Sequence, residues 1–389
     1  MERVPHCSQE RYGIQKGQIA LLTTAHLIND TYAGFLAPLL PVVVEKFGLT
    51  MAATGFLSSV LAVSSSLAQP LYGYLADRLG RRYFVVLGPL LTSIFMSSIG
   101  LPRSYGLLVL VIFMGGMGTA FFHPQGAALA GAAGGYRKGL GMSIFSAGGN
   151  AGYALGPLLI IPIVSIVGFE NTFVAVIPGV IISMLLYKYI ARAKITAKEA
   201  SNDGFTGWSA FTYRPLLYLW LIVFLRATVV TSFGTFIPLL LEERGYSLMV
   251  GGTSIFVFLF CGAVGGLFGG YWSDRIGRKK IILMSLGLST PFLFVFLYTS
   301  GLWTTLGLAL AGMVLLSSIP VGIVMAQEFM PTRISTVSGL MMGFGWGLGG
   351  LAVSFIGMLA DHIGLTPALA VVALIPLIGF GCGLRLPDE

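Results

Sequence analysis

The chain has 389 residues, 56% of them hydrophobic and only 10% charged, with 23 Lys+Arg against 15 Asp+Glu and a formal net charge of +8. A soluble domain carries about 25% charged residues, so a water-soluble globule of this length is excluded. The mean hydropathy of +0.87 is that of an integral membrane protein, and the placement of the positive charges argues against a nucleic-acid partner.

Apolar runs, divided by charges and by Gly/Pro breaks, predict membrane-spanning helices at 18–40, 52–75, 83–101, 106–130, 139–167, 172–190, 215–241, 250–272, 281–299, 303–327, 335–360 and 366–384. At about 20 residues per crossing, twelve spans consume most of the chain and leave short loops. With a cytoplasmic N-terminus, 19 Lys/Arg fall in inside segments and only Lys46, Arg103 and Arg244 fall outside, while Arg226 lies within a span. That bias predicts both termini in the cytoplasm. The polar N-terminal stretch has no short apolar core followed by a small-residue cleavage site, so no removable signal peptide is expected. Cys7, Cys261 and Cys382 show neither metal-ligand spacing nor a disulfide framework.

Span 1 carries His26, Asn29 and Asp30 near its middle. Spacings of three and four put them on one helix face, and an ionisable group at that depth costs roughly 2.5–3.5 kcal/mol on insertion scales, so it faces a cavity and has a task. After span 2 comes Gly73-x-x-x-Asp77-Arg78-x-Gly80-Arg81-Arg82. In span 4, Phe121-Phe122-His123-Pro124-Gln125-Gly126 interrupts an apolar helix. Pro124 frees a carbonyl there and makes the site kinked and polar. Span 5 contains a small-residue stretch from Ser146 to Pro157 that includes Gly148, Gly149, Asn150, Gly152 and Gly156. Its small residues serve helix packing, and Asn150 is placed on the cavity.

The segment 191–214 is polar and joins two six-helix units, residues 1–190 and 215–389. Arg226 sits in the middle of span 7. Its guanidinium is permanently charged and forks onto carboxylate or phosphate oxygens, so it either holds an anionic substrate head or neutralises Asp30. After span 8 the loop pattern returns as Gly270-x-x-x-Asp274-Arg275-x-Gly277-Arg278-Lys279, and at the inner end of span 10 Glu328 and Arg333 form a candidate gate pair. Asp361-His362 after span 11 is assigned no chemistry.

The chain is internally repeated. A shift of 197 maps Pro41, Gly48 and Thr50 onto Pro238, Gly245 and Ser247, maps the loop after span 2 onto the loop after span 8, and maps Asn29 onto Arg226. Two six-helix halves related by an axis along the membrane normal are a transporter plan with the substrate between them. The symmetry places Arg226 across that axis from the Asp30 face.

The doubled G-x-x-x-D-R-x-G-R-R/K loop resembles the cytoplasmic signature of the major facilitator superfamily. That resemblance implies conformational control: Asp77 meets a neighbouring helix N-terminus, and Arg78, Arg81 and Arg82 latch the halves in one state, with Asp274, Arg275 and Arg278 in the equivalent role. Lys280 reads better as a plain positive-inside anchor. Gly152-x-x-x-Gly156-Pro157 resembles a span 5 motif of drug/proton antiporters. Taken with His26-Leu-Ile-Asn29-Asp30, Phe122-His123-Pro124, Ala326-Gln327-Glu328, Val337-Ser338-Gly339-Leu340 and Ala360-Asp361-His362, the likeness runs through nearly the whole chain and is to the fosmidomycin resistance family of exporters. Gln125 departs from it, standing where that family often has an acid.

The resemblance implies export of a small phosphonate in exchange for protons. On this reading Asp30, tuned by His26, takes a proton from outside and loosens from Arg226. Substrate from the cytoplasm then binds Arg226 and His123, with Asn29, Asn150 and Gln125 as polar lining. Proton symport of an organic anion or phosphorylated metabolite into the cell stays open. No zinc-type His/Glu pair, Gly-x-Ser-x-Gly nucleophile or nucleotide loop supports an enzyme. No cofactor is expected, and a monomer is the default for two self-contained halves.

Overall fold

A computed structural model describes residues 14–79, 81–135, 138–190, 213–331, 337–338 and 340–388, with backbone alone for Gly73, Tyr74, Asp77, Arg78, Arg81 and 138–140. Among the described residues the regular structure is all helical, and twelve helices are long and apolar enough to cross a membrane. They are α1 (Lys16–Phe47), α2 (Met51–Tyr72), α3 (Arg82–Gly100), α4 (Tyr105–Ala133), α5 (Gly141–Val167), α6 (Phe169–Tyr189), α7 (Arg214–Glu243), α8 (Leu248–Ile276), α9 (Arg278–Tyr298), α10 (Leu302–Phe329), α11 (Leu340–Ile363) and α12 (Leu365–Leu384). The twelve predicted spans all reappear, because a backbone in hydrocarbon must satisfy its own hydrogen bonds and a long apolar run has no alternative to the helix.

The repeat is visible in the backbone. Gly48 and Gly245, paired by the shift of 197, both take positive φ, +62° and +80°, to end α1 and α7. Their partners Thr50 and Ser247 are both the N-cap residues of the helices that follow, and Thr50 Oγ1 accepts from the Ala53 N–H. A left-handed glycine followed by a hydroxyl cap turns one helix into the next in each half. The predicted boundary between the halves lies mainly in 191–212, outside the described residues.

One feature has no counterpart in the apolar pattern. α2 turns π-helical over Val63–Leu67 and α11 does so over Leu340–Phe344. In α2 the hydroxyls of Ser64 and Ser65 bond back to carbonyls at 60–62, and the Gln69 amide reaches the Ser65 carbonyl. Such back-bonding loosens the regular ladder and bends helices.

The packing differs at the two ends. At the end away from the termini, Phe35, Leu39 and Leu40 of α1 share one buried cluster with Phe233, Phe236 and Leu240 of α7, so both halves meet in a common core. Towards the termini the core splits. Leu22, Val85, Phe122 and Leu186 form a cluster within the first six spans, and Leu219, Ile282, Met325 and Met341 form another within the last six. α2 and α11 cross between the halves: Ser59 Oγ donates to the Gly350 carbonyl at 2.8 Å. Asp361 of α11 accepts the Met51 and Ala52 N–H groups of α2 at 2.7 and 2.9 Å. Among the described residues the buried clusters of the two halves are therefore shared at the end away from the termini and separate at the end that bears them.

Candidate functional site

The predicted polar face of α1 is assembled as expected for His26, Asn29 and Asp30, and His123 of α4 joins it. Asp30 Oδ1 accepts from His123 Nε2 at 2.8 Å and from Asn29 Nδ2 at 2.9 Å, while Oδ2 lies 3.2 Å from His26 Nε2. The side chains of Asp30 and His123 remain 13% and 27% exposed. His26 is more enclosed: its ring stacks on Phe145 of α5 at 4.0 Å and meets His123 edge-on at 4.9 Å. Its Nδ1 bonds the Phe145 carbonyl at 2.8 Å. The Tyr153 side chain of α5 stands 41% exposed, within electrostatic reach of Asp30.

α1 can come this close to α5 because α5 offers glycines. A Cβ on Gly152 would sit 2.0 Å from the Leu27 carbonyl oxygen, and one on Gly149 would sit 2.3 Å from His26 Nε2. Neither helix could hold this separation with alanine there, so the small-residue ladder read as packing also sets the depth at which His26 docks.

Arg226 is placed differently from the expectation. It is 2% exposed, and its Nη1 donates to Ser318 Oγ of α10 at 3.0 Å; Ser318 in turn bonds Ser285 of α9 at 2.9 Å. Its Nε is buried without a hydrogen-bond partner, and among the described residues it makes no ion pair. The predicted face-to-face pairing of Arg226 with Asp30 is thus not formed. Asp30 is already occupied by His123, Asn29 and His26 from its own half, and the hydroxyls of α9 and α10 draw Arg226 into the other. For the same reason His123 stands with the carboxylate rather than with the guanidinium. The repeat fixed the depth of Arg226 but not the direction in which it turns. Gln125 is buried two residues beyond His123, and Asn150 is exposed on α5.

The gate residues also sort themselves within each half. Arg278 forks onto Glu328, Nε to Oε2 at 2.6 Å and Nη2 to Oε1 at 2.5 Å, and donates from Nη1 to Asp274 at 3.2 Å. Arg275 stacks on Tyr271 at 4.0 Å. Arg82 donates to the Tyr187 carbonyl and covers that ring at 4.9 Å. These contacts tie α8, α9 and α10 together, and α3 to α6. Glu328 takes Arg278 as a partner; Arg333, its predicted gate partner, lies outside the described residues, as do the side chains of Asp77, Arg78 and Arg81.

Sequence reasoning missed Ser318 and Ser285, although a Ser317-Ser318-Ile319-Pro320 break inside an apolar run is a visible signal. It also left Asp361 without a task, whereas the structure makes it the cap that links α11 to α2. The Phe145 carbonyl carried no signal at all.

Comparison with known proteins places this architecture. A profile of the Major Facilitator Superfamily matches residues 22–354 and 253–388. The fosmidomycin resistance protein of Escherichia coli (strain K12) is 31% identical over 383 residues, covering 96% of this chain and 93% of that protein. The quinolone resistance protein NorA of Staphylococcus aureus (strain MRSA252) is 26% identical over 84% of each chain. Among solved structures, a bacterial homologue of the human lysosomal transporter Spinster superposes with a TM-score of 0.80 at 16% identity, covering 96% of this chain and 97% of that one. With twelve apolar helices built on a doubled six-helix plan and the family profile matched along nearly its whole length, the chain belongs to the Major Facilitator Superfamily and is a multi-pass transporter of the cell membrane.

Proposed function

We propose that this transporter is a proton-coupled antiporter that exports a small anionic compound, of the phosphonate class to which fosmidomycin belongs, with both termini in the cytoplasm. The observation that carries the reading is Arg226. A guanidinium buried in a membrane-spanning helix, with one neutral hydroxyl partner and an orphaned Nε, is costly unless something anionic completes it. A phosphonate head supplies the oxygens that a planar fork recognises. The similarity to the fosmidomycin resistance protein supports the same cargo class, and that to NorA supports export.

Proton coupling is assigned to Asp30 with His26, and His123 fixes the carboxylate. Because Asp30 and Arg226 have separate partners, coupling runs through the helices that carry them rather than by a direct exchange of partners. α1 and α7 share the joined core, so a change in how α1 seats against α4 and α5 is felt by α7. Alternating access follows as the end that bears the termini closes and the opposite end opens.

The test is a susceptibility panel in cells with and without the protein, using fosmidomycin and unrelated lipophilic cations, together with proton-driven uptake into inverted vesicles. Selective protection against the phosphonate, lost in Arg226→Gln, supports the reading, as does loss of gradient-driven accumulation in Asp30→Asn. Protection against cations alone, or undiminished accumulation in Asp30→Asn, overturns it. Protons and an organic anion entering together would mark the protein as a symporter instead.

A further inference from the structure

The seat of the proton can be read from hydrogen-bond chemistry. His26 Nδ1 lies 2.8 Å from the Phe145 carbonyl oxygen. A carbonyl only accepts, so Nδ1 carries a hydrogen. A neutral imidazole has one ring N–H, which leaves Nε2 of a neutral His26 as a bare lone pair. That lone pair faces Asp30 Oδ2 at 3.2 Å, and an ionised carboxylate is also an acceptor only. Two acceptors do not hold that contact without a hydrogen between them. His123 poses no such problem, since a neutral ring with hydrogen on Nε2 satisfies its 2.8 Å contact to Oδ1.

We infer that the transported proton is lodged between His26 Nε2 and Asp30 Oδ2, that the Phe145 carbonyl makes this its seat by fixing the tautomer of His26, and that Gly149 is the positioning residue that keeps the ring on that carbonyl. The inference rests on the proposed coupling role of Asp30 and names the atoms within it. Gly149 enters through space: a Cβ there would meet His26 Nε2 at 2.3 Å and Cε1 at 2.4 Å, so any larger residue drives the ring off its place. The other groups facing the pair are few. His123 comes from α4, and Tyr153 from α5. The charged residues of α3 and α6 sit at the helix ends, Arg82 on Tyr187 and Glu170 on Lys46 among them, and Arg226 of α7 is turned onto Ser318.

Loss of the proton then has a mechanical result. Nε2 and Oδ2 become two facing lone pairs and separate. His26 stays tied to α5 through Phe145, and Asp30 stays tied to α4 through His123, so their separation changes the seating of α1 between α4 and α5. The proton acts as a removable pin between two fixed anchors.

The test is nitrogen-15 NMR of the full-length protein in lipid bilayers, with labelled histidine, from about pH 5 to pH 9. The chain has four histidines, and His26→Gln assigns the signal of interest. The expected spectrum shows His26 as the doubly protonated ring at low pH and as the Nδ1-protonated tautomer at high pH. A His26 ring carrying its single hydrogen on Nε2 at any pH overturns the inference. Gly149→Ala should release the lock, so that the Nε2-protonated tautomer appears and proton-driven transport falls at least tenfold. Gly131→Ala, where an added Cβ meets only Met142 at 3.7 Å, should do neither. An unchanged His26 spectrum in folded Gly149→Ala removes Gly149 from the assignment. A correct tautomer without proton-driven transport would instead refute the proposed function and leave the proton's seat standing.

Discussion

Asp30 and Arg226 occupy comparable depths in the first helices of the two halves, yet their surroundings are opposite. The acid is enclosed by its own half: two histidines and an amide share its oxygens. The base has one hydroxyl and an unanswered Nε. A duplicated scaffold has therefore made one site whose charge is balanced internally and one that is left short. The first is suited to a small titrating particle, and the second to a cargo that brings its own negative oxygens.

Substitutions can sharpen or break this contrast, and the expected effects descend in size. Asp30→Ala should destabilise the protein most, by roughly 3–5 kcal/mol, because it strips a buried network of its acceptor; thermal unfolding in detergent measures it. Ser318→Ala should cost about 1–3 kcal/mol by leaving a buried guanidinium without its hydroxyl, visible in the same assay. Glu328→Gln should cost about 1 kcal/mol or less despite the short fork onto Arg278, since that pair stands at the exposed end. Arg226→Met should be neutral or mildly stabilising, because an underpaired charge is traded for apolar volume, while abolishing the proposed phosphonate export. A large loss of stability in Arg226→Met would show that the guanidinium is balanced after all and would remove the contrast.

The span count was legible because hydropathy and backbone satisfaction act along the chain. The repeat was legible because Gly48/Gly245 and Thr50/Ser247 preserve turn chemistry in a fixed register. What the sequence could not tell is azimuth. Arg226 and Asn29 match in the repeat, but whether a long side chain turns to the axis or back into its own half depends on hydroxyls 59 and 92 residues away in sequence, at Ser285 and Ser318. The same holds for Glu328, whose partner Arg278 comes from another helix, 50 residues away in sequence. The π segment at 63–67 was hidden because serine reads as a small packing residue until its hydroxyl is seen bonding backwards.

The Asp361 cap on α2 sets the toll at the far rim. In the proposed alternating-access cycle, one carboxylate and the two N–H groups of Met51 and Ala52 must part when the halves rock the other way. All three lie at exposed positions where water replaces what is lost, so the toll is on the order of 1 kcal/mol, the usual worth of a helix cap. A fastening of that size biases the rim towards the joined arrangement only several-fold, so thermal motion can undo it on the timescale of a transport cycle.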